Sequence, residues 1–358
     1  RSKGVLFFLL FYIWMVMATP TSFWFGGSVG RIKDFGLHVA PLVLVISATI
    51  MSWKQVRIAF TVLAFAAIAV LISTRVFGEV ASGRISLASS GTIGNSNDLA
   101  AHLLLMISFL LYIVLDNKRN FLLRGLAIVS MAYGLYVILG TGSRGALVAL
   151  GIGGIFYLVK APMKVRIAFV VATILAMVVM PLILPEATKE RLGSLFGDEH
   201  REAEESGESR AYLFRKSVEY SLTHPIFGVG PDQFPNYEGY QSRAAGLHGN
   251  WHVTHCSWTQ VSSECGIPAL IFLLIAVGTS LVSLYRCYSS ARNLGVTDVA
   301  RACFSLLVGS IALLVAISFL AQAYHFYFAF LIGLAIATSR AGERQLALIS
   351  SGRFALSR

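Results

Sequence analysis

Three histidines and a cysteine fall within nine residues of this chain, at His248, His252, His255 and Cys256. Histidine is the side chain whose ordinary pKa lies near neutrality, so one of these imidazoles suits the removal of a proton from a hydroxyl nucleophile. Spacings of four and then three residues share a helix face, and three imidazoles with a soft thiolate would also suit zinc or copper. Gly249 and Asn250 inside the cluster disfavour a regular helix there. A base, a metal centre and plain loop histidines all stay open at this point. A second pointed charge is Arg144, set among small residues in Gly140-Thr-Gly-Ser-Arg-Gly145. Its planar fork suits phosphate oxygens, against the plainer reading that it snorkels to a polar surface.

The elements that must position these groups lie in a membrane. Hydrophobic residues make up 56% of the 358 residues, charged residues only 13%, and mean hydropathy is +0.71. That is far from a soluble domain. Apolar runs near Val5–Met17, Phe35–Ser52, Ile58–Ser73, Leu99–Leu115, Leu122–Leu139, Ala146–Val159, Ile167–Leu184, Ile267–Leu284, Cys303–Phe319 and Tyr324–Thr338 are expected to cross the bilayer as helices. They are continuous rather than alternating, which excludes a β-barrel. The expected fold is all-α, a polytopic transmembrane bundle of about ten spans with one large outer loop. With both ends inside, 17 of the 29 Lys and Arg fall in inner connections, 5 in short outer loops and 7 in the long one. The net charge of +11 is therefore mostly topological, and no nucleic acid is expected as a partner. Residues 1–184 read as spans one to seven and 185–263 as the outer loop. Residues 264–338 read as spans eight to ten, and 339–358 as a cytoplasmic tail.

Within the outer loop, Glu186 to Glu208 carries eight of the 18 acidic residues and reads as a solvated stretch. From Ser209 the recurrence of Tyr212, Leu213, Val218, Tyr220 and Leu222 predicts an amphipathic helix suited to a membrane surface. His224-Pro225 should end it, and Gly228, Gly230 and Pro231 should turn the chain. Asn97 or Asp98 is expected to cap the fourth span. The four cysteines form no disulfide framework: Cys287 and Cys303 lie on the inner side, and a helix from Ser257 holds Cys256 too far from Cys265 to bridge.

Four segments occur in a telling order. They are Gly91-Thr-Ile-Gly-Asn95-Ser-Asn97-Asp98-Leu-Ala, Thr141-Gly-Ser-Arg-Gly-Ala146, His224-Pro-Ile-Phe-Gly-Val-Gly230, and His255 followed after ten residues by Gly266. With their placement relative to the spans, they make the chain resemble the O-antigen ligase and O-antigen polymerase family from about Arg84 to the last span. Cys256 and Ala269 depart from the family's pattern around the histidine and glycine, where a polar residue and Gly, Thr or Tyr are usual. Family members have about twelve spans, so a chain that begins at Arg1 is expected to lack the first two.

The resemblance implies a multi-pass enzyme of the bacterial inner membrane whose active site faces the periplasm. Its donor would be an undecaprenyl-diphosphate-linked glycan, and its acceptor lipid A-core or a growing glycan. Polymerase and protein-glycosylating variants share the donor and stay open, as does a flippase of lipid-linked sugars; the chain shows no internal repeat of the kind common in transporters, and one long outer loop after the seventh span breaks any two-fold pattern. Such a transfer needs a base near neutrality and donors on the leaving diphosphate. His255 and Arg144 fit those roles, and Glu264 fits either a helix N-terminus or the orientation of His255 or an arginine. Arg84, Asn97, Ser143, Arg210, Arg215, His224, Arg243, His252 and Gln260 are candidates to contact substrate. No Asp-rich constellation suited to a divalent ion is present, so a metal-independent reaction without a cofactor is expected. His255 and Arg144 should then open into one wet chamber reachable by a prenyl tail.

Overall fold

The computed structural model describes residues 2–81, 83–87, 93–160, 163, 166–167, 170–171, 174, 201–246 and 251–351. Its helices are α1 (Lys3–Ala18), α2 (Phe25–Asp34), α3 (Ala40–Thr49), α4 (Trp53–Phe77), α5 (Ser96–Leu115), α6 (Phe121–Gly140), α7 (Arg144–Lys160), α8 (Arg201–Thr223), α9 (Phe234–Ala244), α10 (Ser257–Cys265), α11 (Ile267–Asn293), α12 (Thr297–Ile317) and α13 (Tyr327–Ser350). One antiparallel hairpin interrupts the helices, β1 (Glu79–Ala81) with β2 (Arg84–Ser86), and pairs Val80 with Ile85.

Among the described residues, seven helical stretches are long and apolar enough to cross a bilayer: Lys3–Thr21, Phe25–Thr49, Trp53–Phe77, Ser96–Leu115, Phe121–Gly140, Ile267–Asn293 and Thr297–Ile317. Each answers to a span expected from the sequence. The expected span at Ala146–Val159 is occupied by α7, a helix of 17 residues. Most of the expected Ile167–Leu184 span lies outside the described residues. At the last one, Tyr324 sits in a turn and α13 runs from Tyr327 to Ser350, well past Thr338. The second span also differs: its helix starts ten residues before Phe35, at Phe25, and passes through a π-helical turn at Phe35–Val39. Arg31 and Lys33, counted as loop charges in the sequence, therefore ride on a helix.

The chain divides into two units, one of residues 1–56, 202–296 and 317–358, the other of 57–201 and 297–316. In the first, α1, α3, α11 and α13 pack together around the buried rings of Phe8, Phe11, Phe35 and Tyr327. In the second, α5 lies against α6 and α7 and is largely buried. One end of this second unit gathers charge. Asp116, 2% exposed, takes Arg301 at 3.1 Å and Arg119 at 3.3 Å, while Arg57 stands 3.7 Å from Asp298. Paired arginines are how a carboxylate at a helix end is tolerated beside lipid. The capping residue of α5 is Asn95, whose side chain accepts from Asn97 N and Asp98 N, rather than Asn97 or Asp98. An Asx turn places the cap two residues earlier than the charged pair suggested.

In the first unit α8 ends at Thr223, where His224-Pro225 forbids another turn. The chain then runs beside α10 and the start of α11: Val229 N donates to Ser263 O at 2.8 Å, Gly230 N to Glu264 O at 2.9 Å, and Ile267 N to Pro225 O at 2.8 Å. Gly266 makes the break between α10 and α11 with φ 84° and ψ 169°, a region open in practice only to glycine. A Cβ there would run into the Ile226 carbonyl and stand 2.9 Å from Phe227 N. Gly266→Ala is expected to cost on the order of 1–3 kcal/mol from backbone strain alone, and to lower the thermal midpoint in detergent by several degrees. Gly125→Ala, at a helical site with open space around it, should leave the midpoint unchanged or raised; equal midpoints for the two variants would contradict this account.

Candidate functional site

His255 stands at the entrance to α10, half-buried, with φ 52°. A non-glycine residue in left-handed backbone is held there by its surroundings, and here those are visible. Thr254, 1% exposed, donates its hydroxyl to Cys256 O at 3.0 Å and accepts from Cys256 N at 3.4 Å. The helix that follows is bolted down: Ser257 Oγ donates to Leu320 O at 2.7 Å and accepts from Gln322 N at 2.9 Å. Trp258 donates to Ser318 Oγ at 2.8 Å, and Gln260 Oε1 accepts from Ala323 N at 3.1 Å. Gln260 is thus a buried fastener of the 318–323 segment. Burial first, then the nearby charges of Arg210 and His252, push His255 down to about 4. The imidazole is neutral at physiological pH, with a lone pair free to take a proton.

Behind it, Glu264 is 1% exposed. One carboxylate oxygen accepts from Asp232 N at 3.0 Å and Tyr324 Oη at 2.5 Å, the other from Phe234 N at 3.2 Å. Of its two expected roles, the structure places it at a helix N-terminus, but at the start of α9 rather than of α11. No hydrogen bond joins it to His255 or to an arginine among the described residues. Burial first, then the charge of Asp232, pushes Glu264 up to about 8, against the lowering effect of its three donors. Asp232 above it is also left-handed, φ 62°, and its carboxylate receives Arg31 Nε at 2.9 Å and Nη2 at 2.7 Å. Arg31 lies over the Tyr324 ring at 5.8 Å, and His325 feels Arg31, Asp232 and Asp34. None of Arg31, Asp232, Tyr324 or His325 was singled out from the sequence. Arg31 and Asp232 are 201 positions apart, and the only local signal was the Gly-Pro-Asp turn.

The other candidates of this unit fall on α8, α9 and the turn between them. Arg210 is half-buried and Arg215 exposed on α8, Arg243 is exposed on α9, and His252 is exposed before His255. His224 shares a hydrogen bond with Thr223 Oγ1 at 3.0 Å and meets the Tyr237 ring edge-on. Glu238, wholly buried, pins α8 to α9 by accepting from Tyr212 at 2.7 Å, Tyr220 and Ser242 at 2.6 Å. Cys256 and Cys265 are buried free thiols. Among the described residues no group of three or more His, Cys, Asp or Glu is placed to hold a metal ion, and His248 lies outside them.

The second unit brings together two of the sequence motifs at one end. Arg84, on β2, donates from Nε to Thr141 O at 2.9 Å and from Nη2 to Asn97 Oδ1 at 2.7 Å. Ser143 is buried, and Arg144 opens α7 as an exposed side chain with no hydrogen bond or ion pair among the described residues. Gly91 and Thr92 of the first motif lie outside them.

The raised pKa of Glu264 has a definite sign in stability. Its folded value lies above the unfolded one, so its contribution is full below about pH 4.5 and is lost as pH rises to about 8. His255 works oppositely between about 4 and 6.5, so only a difference isolates Glu264. Unfolding free energy of Glu264→Gln minus that of the wild type should climb by up to about 1.4 kcal/mol per pH unit between pH 5 and 8. A difference flat with pH in denaturant titrations would show that Glu264 is ionised throughout.

No curated protein matches the chain. Residues 129–274 match the family model described as O-antigen ligase, a stretch that holds Arg144, Arg210, His224, His255, Glu264 and Gly266. That match agrees with the resemblance carried by the motifs: over residues 129–274 the chain is similar to the O-antigen ligase family, and among the described residues seven helical stretches are long and apolar enough for a multi-pass membrane protein.

Proposed function

We propose that the protein transfers a glycan from an undecaprenyl diphosphate carrier to an acceptor hydroxyl at the periplasmic face of the bacterial inner membrane. What supports this reading is the placement of His255, half-buried in left-handed backbone at the entrance to a helix whose first residues are hydrogen-bonded to the 318–323 segment. The acceptor oxygen attacks the anomeric carbon of the carrier-linked sugar while His255 takes the hydroxyl proton. The bond from that carbon to the diphosphate oxygen breaks, and undecaprenyl diphosphate leaves with its electron pair. Negative charge grows on the diphosphate in that step, where an exposed guanidinium such as Arg144 stabilises it. Arg210, Arg215 and Arg243 on the outer helices supply further positive charge to a long anionic donor. No group other than these side chains is required, so the reaction is read as independent of metal and cofactor.

The acceptor separates two forms of the same chemistry. Lipid A-core as acceptor makes the protein a ligase; a second carrier-linked glycan makes it a polymerase. A deletion strain that carries a single repeat on its core would indicate the polymerase, and bare core with accumulated carrier-linked chains the ligase. In purified protein given lipid-diphosphate glycan and acceptor, His255→Ala should lower turnover by roughly 10²- to 10⁴-fold. On the acid side, kcat/KM of the wild type should hold until the pH falls to about 4, where protonation of His255 removes the base. Unchanged turnover in His255→Ala, or glycan crossing the bilayer without a new glycosidic bond, would sink the proposal.

A further inference from the structure

The exposed guanidinium of Arg144 stands on a link of three residues, Thr141 to Ser143, between α6 and α7. Local bonds hold the link to its own helices: Thr141 N donates to Val137 O at 2.9 Å, Gly142 N to Leu139 O at 3.0 Å, Thr141 Oγ1 to Ile138 O at 2.6 Å and Ser143 N to Thr141 Oγ1 at 3.3 Å. These bonds are all to nearby residues, and one further restraint comes from outside the link. Arg84 reaches from the β1–β2 hairpin, gives Nε to the carbonyl of the wholly buried Thr141, and gives Nη2 to Asn97 in the first turn of α5. The hairpin can approach because Gly140 has no side chain: a Cβ there would drive into Ile85. Asn97 is itself fixed, since Asn95 caps α5 by accepting from Asn97 N at 2.9 Å and Asp98 N at 3.0 Å.

We propose that Arg84 is a positioning residue for Arg144: it clamps the carbonyl of the link to the capped start of α5 and so sets where the Arg144 guanidinium meets the diphosphate. The same type of side chain thus serves two ends. Arg84 spends two of its donors inward on protein acceptors, whereas Arg144 keeps all of its donors toward solvent among the described residues. A cation bound for substrate oxygens is poorly used on a backbone carbonyl; a cation meant to hold a turn is well used there, because charged donors make the stronger hydrogen bonds. Misplacement of a reacting or stabilising group by about 1 Å is enough to cost on the order of 100-fold in rate, so the clamp has a kinetic consequence without touching substrate.

The inference rests on the reading of Arg144 above, and the experiment separates the two. Turnover is measured for Arg84→Ala, Arg84→Lys, Arg144→Ala and the double variant, with thermal midpoints to show that each folds. Arg84→Ala should lower kcat by roughly 10- to 100-fold with a smaller change in KM for the donor, and Arg84→Lys should recover part of the loss. In the Arg144→Ala background the same change should cost less than about twofold. Amide exchange in the 139–145 segment should rise in Arg84→Ala. Losses that multiply in the double variant would mean that Arg84 meets the substrate itself, which overturns the proposal while leaving Arg144 in its role; unchanged exchange overturns it as well. Intact turnover in Arg144→Ala sinks the reading of Arg144 and this proposal with it.

Discussion

A carboxylate taken wholly out of water organises the first unit. Glu264 sits two residues before the break at Gly266, and its two oxygens are met by the backbone of Asp232 and Phe234 and the hydroxyl of Tyr324. An unpaired group at that depth would cost several kcal/mol, so the segment that supplies its donors cannot leave. Its two backbone donors lie at the end of the stretch from Pro225 to Phe234, which is fastened on both sides. Its carbonyls and amides pair with Ser263, Glu264 and Ile267, while Trp14 donates to Ile226 O and Cys265 O, and Phe23 N donates to Val229 O. The left-handed backbone of Asp232 follows from being held by its own amide below and by Arg31 above.

The histidine is built on the same rigid piece. His255 precedes α10 and Glu264 lies in its last turn, and Ser257 and Gln260 of this nine-residue helix are hydrogen-bonded to the 318–323 segment. The backbone that carries the imidazole is held by that support. A half-buried imidazole before this short helix and a buried carboxyl within it are pushed in opposite directions, the imidazole down and the carboxyl up, by the same first cause. Removal from water disfavours the charged form of either, so both are kept neutral over much of the physiological range. A pair of oppositely displaced groups is a common mark of a functional site.

The second unit divides its polar side chains between two ends, as lipid between them demands. At one end Asp116, Arg119, Arg301, Arg57 and Asp298 satisfy one another. At the other, Arg84, Asn97 and the Thr141–Ser143 link are tied together beneath the exposed Arg144.

How much was legible follows the range of the interactions. Apolar runs are local, so seven of the expected spans have a counterpart among the described residues, with error where the local signal was broken: glycines and charges at Gly26, Gly27, Arg31 and Lys33 hid the first turns of the second span. Proline acts on its neighbour, so the end of α8 at Thr223 was readable from His224-Pro225. The cap of α5 was missed by two residues, because an Asx turn and a helical first turn differ only in backbone angles. The role of Glu264 as a partner of α9, the clasp of Arg31 on Asp232 and the grip of Arg84 on Thr141 had no signature in sequence. By itself the chain determined its apolar character, most of its helices and its breaks, because those depend on hydropathy and neighbours. Only the tertiary structure decided which of them are neutral, strained or clamped, because desolvation and hydrogen bonding are set by residues tens to hundreds of positions away.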